Sequence, residues 1–189
     1  MLGALLIVLV TIEICCSLEQ PSLGEAFRFE FRLDNMQSCP DEPQATIFLE
    51  NVSMDPFNRT TLVTNGQFRV KELVQGSIKG IIDLTKCDSK QQYDSCQHFI
   101  TVVFDDLCAE LPKKNESWTP FFAHIINFQP DCPLKPGTYE IKDAPVDLSF
   151  LADNPIIFGY WRARQTAMEG EKLISCTTIS FNVIKPRPK

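Results

Sequence analysis

Phe27-Arg28-Phe29-Glu30-Phe31-Arg32-Leu33 alternates apolar and charged side chains without a break. A period of two places successive side chains on opposite faces of a strand, so this stretch predicts a strand with one buried and one wet face. Further strand signals lie downstream of it. Thr46 to Glu50 reads as a short strand ended by the turn-rich Asn51 to Asn58. Phe68, Val70 and Val74 mark another, and Ile78 to Leu84 a further one, with Gly76 and Gly80 as weak points. Thr138 to Lys142 is a brief strand after the Pro136-Gly137 turn. The end of the chain reads as a hairpin: Ile156 to Met168, a turn at Glu169-Gly170-Glu171, then Lys172 to Ile184. In its second arm Leu173, Thr177, Ile179, Phe181 and Val183 fall on one face, although Thr177 is only semi-polar.

The middle has a different rhythm. Phe99, Val102, Val103, Leu107 and Leu111 follow an i, i+3, i+4 spacing that stops at Pro112. Phe121, Phe122, Ile125 and Ile126 repeat it before Pro130. The expected fold is therefore mainly β, a β-sandwich or β-cup, with a short, partly helical insertion near residues 97–129. No internal repeat or linker divides the chain.

Composition agrees with one folded domain. The 189 residues are 44% hydrophobic and 22% charged, which excludes a disordered or low-complexity chain. The formal net charge of -6 leaves no basic surplus for a phosphate backbone, which excludes nucleic acid as the expected partner. Leu2 to Val10 is an apolar run too short to span a bilayer as a helix. Its length is that of a signal-peptide core, and Cys15 and Ser17 supply small residues at the −3 and −1 positions of a cut after Ser17. The expected organisation is a signal peptide at 1–17, one domain at 18–184 and a basic, proline-broken tail at 185–189. Removing the first 17 of 189 residues leaves 172.

Cleavage also removes Cys15 and Cys16, leaving Cys39, Cys87, Cys96, Cys108, Cys132 and Cys176. Six cysteines in an exported chain read as three disulfides, with fifteen possible connectivities. No paired short spacing suggests a structural zinc site. Asn51-Val52-Ser53, Asn58-Arg59-Thr60 and Asn115-Glu116-Ser117 are glycosylation sequons, which again point to export. Localisation is expected to be secreted and extracellular, with the endolysosomal lumen as the alternative.

Motifs for catalysis are missing from the sequence. There is no G-x-S-x-G and no H-E-x-x-H, and His98 and His124 are the only imidazoles. Cys96-x-His98 might pair thiol with imidazole, but an exported cysteine more often lies in a disulfide. Asp105-Asp106 reads as a solvated helix face. The residue type in excess is phenylalanine, at fourteen. Phe121, Phe122, Ile125, Ile126 and Phe128 cluster between prolines, and Phe150-Leu151 and Ile156-Ile157-Phe158 flank a polar turn. Clusters of this kind either fill a core or line a ligand mouth.

Several landmarks occur in a recognisable order. Cys132-Pro133-Leu134-Lys135-Pro136-Gly137-Thr138-Tyr139 resembles a Cys-Pro-Phe-Lys-x-Gly-Thr-Tyr stretch, and Phe104-Asp105-Asp106-Leu107-Cys108 resembles a Phe-x-x-Phe-Cys segment. Leu148-Ser149-Phe150-Leu151 is similar to a Leu-Pro-Ser-Trp-Leu loop, with Phe150 in place of the tryptophan. Gly159-Tyr160-Trp161-Arg162 through Cys176 resembles a closing Gly-x-Tyr-Arg hairpin that ends in cysteine. Together they resemble the sphingolipid (monosialoganglioside) activator group of the ML lipid-recognition superfamily, and its insect chemosensory relatives of the CheB type. That resemblance implies a β-cup around an apolar lipid cavity, with no catalysis, cofactor or metal. It also implies the pairs Cys39–Cys176, Cys87–Cys96 and Cys108–Cys132. A fourth bridge of the group is lost, because Pro130 stands at one of its positions.

Taken with the apolar clusters, it places Phe29, Phe31, Phe68 and Phe181 in the pocket, and Phe121, Phe122, Phe150, Leu151 and Phe158 at its mouth. The expected partner is a lipid or other apolar small molecule, with transient contact to a membrane surface. The alternative is a chemosensory or receptor-recognition module whose exposed aromatics meet a protein.

Overall fold

The last strand organises the rest. β8 (Lys172–Ile184) follows β7 (Gly159–Glu169) through a two-residue turn in which Gly170 has φ 61°, a left-handed conformation that favours glycine. The other edge of β8 receives β1 (Glu30–Ser38) from Thr177 to Ile184. Just before that stretch, Ser175 forms a single parallel bridge to Ile47 of β2 (Ile47–Pro56). A computed structural model describes residues 29–58, 60–149 and 157–185. The expected signal peptide, Phe27, Phe150, Leu151 and the tail from residue 186 lie outside those residues.

Among the described residues seven strands form one hydrogen-bonded path, β5-β4-β7-β8-β2-β3-β6, and an eighth, β1, also pairs with β8. Here β3 is Thr61–Val70, β4 Ile78–Cys87, β5 Gln97–Phe104 and β6 Gly137–Asp147. Because β8 and β2 share one bridge, the path divides there. A five-stranded layer (β5-β4-β7-β8-β1) and a three-stranded layer (β2-β3-β6) bury their inner faces in one hydrophobic cluster. The fold is mainly β and sandwich-like, as the alternating pattern predicts.

Three local readings need correction. The Phe99–Val103 stretch is not helical but belongs to β5. Ile100 and Val102 pair with Leu84 and Ile82, while Phe99 and Val103 remain exposed. Apolar residues on both faces erase the period of two and imitate helical spacing, although Ile100-Thr101-Val102-Val103 is β-branched throughout.

The second correction concerns β2, which does not stop before Asn51 but runs to Pro56. Asn51 takes φ 51° and the register shifts between Glu50 and Ser53. Opposite it lies Gly66, where a Cβ would come within 2.8 Å of the Val52 Cα. β6 answers with Asp143 at φ 51°, whose N–H donates to Asn65 Oδ1 at 2.9 Å. These neighbouring bulges let three strands continue through turn-like sequence. Third, β3 ends at Val70, and Val74 instead makes an isolated bridge to Leu134.

Among the described residues α-helix is confined to two single turns in the 105–134 insertion, α1 (Leu107–Glu110) and α2 (Thr119–Phe122), and a 3-10 turn at Tyr93–Ser95 lies between β4 and β5. The insertion also covers the edge of β6. Ile126 N–H donates to Glu140 O at 2.8 Å, and Lys142 N–H donates to His124 O at 3.0 Å.

Among the described residues three disulfides form, Cys39–Cys176, Cys87–Cys96 and Cys108–Cys132, the same pairs that the resemblance implies. They tie β1 to β8, the end of β4 to the start of β5, and α1 to the segment before β6. Their number marks an extracellular or lumenal compartment. No helix among the described residues is long and apolar enough to cross a membrane.

Candidate functional site

The space between the two layers is the candidate site, and its walls are unequal. Across the five-stranded layer, β7 presents Trp161, Ala163, Gln165 and Ala167 inward, and β8 presents Ser175, Thr177, Ile179, Phe181 and Val183. One end is bulky: Trp161 is buried and donates its indole N–H to Ile157 O at 2.6 Å. The other end is built from small and polar residues. Leu107 of α1 packs onto Gly80 there, where an added Cβ would lie 2.9 Å from Leu107 Cδ1. A cavity of about 20 Å³ lies beside this contact, bordered by Phe104, Leu107, Gln165, Ala167, Ser175 and Thr177. That volume holds about one water, whereas small-molecule pockets commonly offer about 300–1,000 Å³.

The residues expected to line a pocket are instead packed into the hydrophobic core. Phe29 is buried. Phe31 stacks on Phe181 with ring centroids 5.1 Å apart. On the other layer Phe68 stacks on Tyr139 at 5.0 Å and meets the Phe128 ring edge-on at 5.2 Å. Phe122 reaches Phe128 at 5.8 Å and Phe121 at 5.9 Å. The structure thus brings Phe68 together with Phe121 and Phe122 through Phe128 and Tyr139, and it pairs Phe31 with Phe181 elsewhere. Among the described residues no ring contact joins the two groups.

Phe121 and Phe122 do not form an open mouth. Phe121 is fully buried and Phe122 nearly so. Trp118, Phe121, Phe122 and Ile125 are spaced i, i+3, i+4, i+7, so the turn around α2 directs all four into the core. Phe158 packs against the same cluster and is partly buried. Phe150 and Leu151 lie outside the described residues.

Trp118, Tyr139, Gln165 and Ser175 are site residues that the sequence reading passed over, whereas Phe128 stands in its apolar cluster without a place in the pocket. The spacing of Trp118 from Phe121 and Phe122 was the available signal for one of them. Outside the core, a groove of about 480 Å³ runs along Asn127, Phe128, Gln129, Asp131, Lys135 and Tyr139. Tyr139 OH donates to Lys135 O at 2.8 Å on its rim.

Groups with chemical potential lie away from this interior. Cys96 is in a disulfide, so it forms no thiol–imidazole pair with His98. His98 Nε2 lies 2.9 Å from Thr101 Oγ1, which donates to Asp83 Oδ1 at 2.5 Å, an exposed chain on β4 and β5. His124 Nδ1 lies 3.1 Å from Lys142 O. Asp106 does not lie on a helix face; its carboxylate caps α1 by accepting from Cys108 N–H at 3.0 Å. On β7, burial pushes the Tyr160 hydroxyl above its ordinary range; Asp34 adds to the rise and a bond with Ser180 opposes it. Among the described residues no three His, Cys, Asp or Glu side chains gather as a metal site.

The sequon asparagines Asn51, Asn58 and Asn115 are all exposed. Asn58 Oδ1 accepts from Thr60 N–H and Thr61 N–H, both at 2.8 Å, in a side-chain-closed turn. No protein-family model matches the chain, and no curated protein matches it by sequence.

Proposed function

We propose that the chain is a secreted, non-catalytic lipid-binding protein of the ML type. It takes an acyl chain or other apolar ligand between its two layers, for solubilisation, transfer or presentation. One observation carries this reading: the aromatic interior is closed on one side by the 105–134 insertion, which has only two one-turn helices. Rings of that insertion occupy the space an acyl chain would take, so uptake exchanges protein–protein contacts for ligand contacts.

The magnitudes permit such an exchange. Each buried CH₂ contributes about 0.8 kcal/mol, so a sixteen-carbon chain gains on the order of 12 kcal/mol before ordering and desolvation costs. No acid, base or metal takes part. The protein recovered from the medium of expressing cells should carry lipid, detectable by native mass spectrometry and organic extraction. It should begin after Ser17 and lose apparent mass with an N-glycosidase, through glycan on at least one of Asn51, Asn58 and Asn115. Failure to recover or load any apolar ligand would overturn the binding reading.

The second reading, a recognition module for a protein partner, draws on Phe57, Phe99 and Val103, which are 75%, 40% and 46% exposed. Phe99 and Val103 sit on β5, a terminal strand of the path with no charged side chain. Lipid-free protein that captures a protein partner, and loses it when Phe99 and Val103 are changed to Lys, would favour this alternative.

A further inference from the structure

The inner wall of the five-stranded layer carries a polar spot in an apolar surface. Gln165 of β7 and Thr177 of β8 are direct cross-strand partners, and Ser175 faces Ala167 in the next pair on the same side. Gln165, Ser175 and Thr177 are all buried, Thr177 at 1% exposure. The Thr177 hydroxyl is enclosed without a hydrogen-bond partner. A buried hydroxyl in that condition is destabilising, and valine would fill the same shape without the cost. All three polar side chains border the cavity beside Leu107, and no charged side chain borders it.

We infer that this spot receives the oxygen of a neutral, oxygen-bearing apolar ligand: a long-chain alcohol, ester or ketone. The inference rests on the proposed lipid-binding function and specifies which apolar molecule is taken. The ligand oxygen accepts a hydrogen bond from the Thr177 hydroxyl, and an alcohol can also donate back. The chain then runs along the apolar interior. A carboxylate is disfavoured, because the lining offers no cation to pair with its charge. A plain hydrocarbon leaves the Thr177 hydroxyl unsatisfied. Leu107 is the side chain that must give way: it sits in a one-turn helix and rests on Gly80, where an added Cβ would crowd its Cδ1 at 2.9 Å.

The test uses the full secreted protein, delipidated and loaded with the fluorescent probe N-phenyl-1-naphthylamine. Hexadecanol, methyl palmitate, hexadecane and palmitate compete for the probe at neutral pH. Hexadecanol and methyl palmitate should displace it at concentrations about fivefold or more below those of hexadecane and palmitate, the discrimination of roughly one net hydrogen bond. Thr177→Val should remove the advantage over hexadecane without weakening hexadecane itself. Leu107→Ala should tighten all four competitors by enlarging the space. Equal displacement by all four in the wild-type protein, the mark of a cavity that holds water only, overturns the inference and leaves lipid binding standing. An unchanged preference in Thr177→Val overturns it equally. If neither probe nor competitor binds, the lipid-binding reading falls and this inference with it.

Discussion

The β7–β8 hairpin and the 105–134 insertion both bury aromatic side chains, by opposite means. The hairpin holds Trp161 and Phe181 with eleven cross-strand residue pairs and a tight turn. The insertion holds Trp118, Phe121 and Phe122 with two helical turns, one disulfide and a few bonds to β6. A continuous ladder must open cooperatively, whereas segments with few shared backbone bonds open locally at lower free energy. The difference separates a fixed wall from a movable one, and the proposed function puts ligand entry on the movable side.

Disulfide removal should give the largest separation. Cys39 and Cys176 are 137 residues apart and fix the fold next to the single β2–β8 bridge. In the chain-entropy model that bridge stabilises by about 5 kcal/mol. Cys108–Cys132 closes 24 residues and contributes about 3.5 kcal/mol on the same model. Replacing both members of the first pair by Ser should abolish or sharply reduce the amount of folded protein. Replacing the second pair should leave β7 and β8 protected in hydrogen exchange while residues 105–134 lose protection. Uniform loss of protection in the second variant would erase the distinction between the walls.

Core truncation sharpens the same contrast. Trp161→Ala and Phe121→Ala each delete a large buried ring, with an expected cost of about 3–5 kcal/mol. A site that relaxes loses less, so Phe121→Ala should fall at the lower end of that range and Trp161→Ala at the upper end. Denaturant midpoints at unchanged m-value would measure it. Phe122→Asp should fail to fold, because Phe122 is a core residue and not a rim position; normal secretion of that variant would place it back at a mouth.

The two regions also differ in how far they can be read from sequence. The hairpin is legible because Thr177, Ile179, Phe181 and Val183 alternate with wetter residues and Gly170 marks the turn. β5 misleads because it is apolar on both faces, and local spacing carries no record of which strand lies beside it. The bulges at Asn51, Gly66 and Asp143 are invisible for a related reason: each is a response to the neighbouring strand. For the site, aromatic content is readable and direction is not. The cluster holding Phe121 and Phe122 stands out in the sequence, yet only tertiary packing turns those rings inward. Thr177 shows the limit most plainly: a semi-polar residue on an apolar face looks like noise until its hydroxyl is found without a partner.

The smallest expected effect concerns acid, and it acts on the fixed wall. Asp41 is held below the ordinary carboxylate range by its bond to Arg164 of β7, with Nη2 3.0 Å from Oδ2. Glu72 is lowered likewise, first by Lys172 of β8 and then by the Thr46 hydroxyl. A carboxylate whose folded pKa lies below its unfolded value contributes stability that is complete above the unfolded value and lost as pH falls through the folded one. With ordinary values near 4, both contributions are intact from pH 7 down to about pH 5 and disappear only below about pH 4. Both groups are exposed and screened by solvent, so the loss is slight. The melting temperature should therefore show no decline from these pairs between pH 7 and 5. Below pH 4 wild-type protein should lose a small increment that Asp41→Asn with Glu72→Gln lacks. Raised salt should shrink that increment. A wild-type decline between pH 7 and 5 that the double variant abolishes would show that these carboxylates titrate higher than their partners allow, and the assignment of the hairpin's acid response to Asp41 and Glu72 would fail.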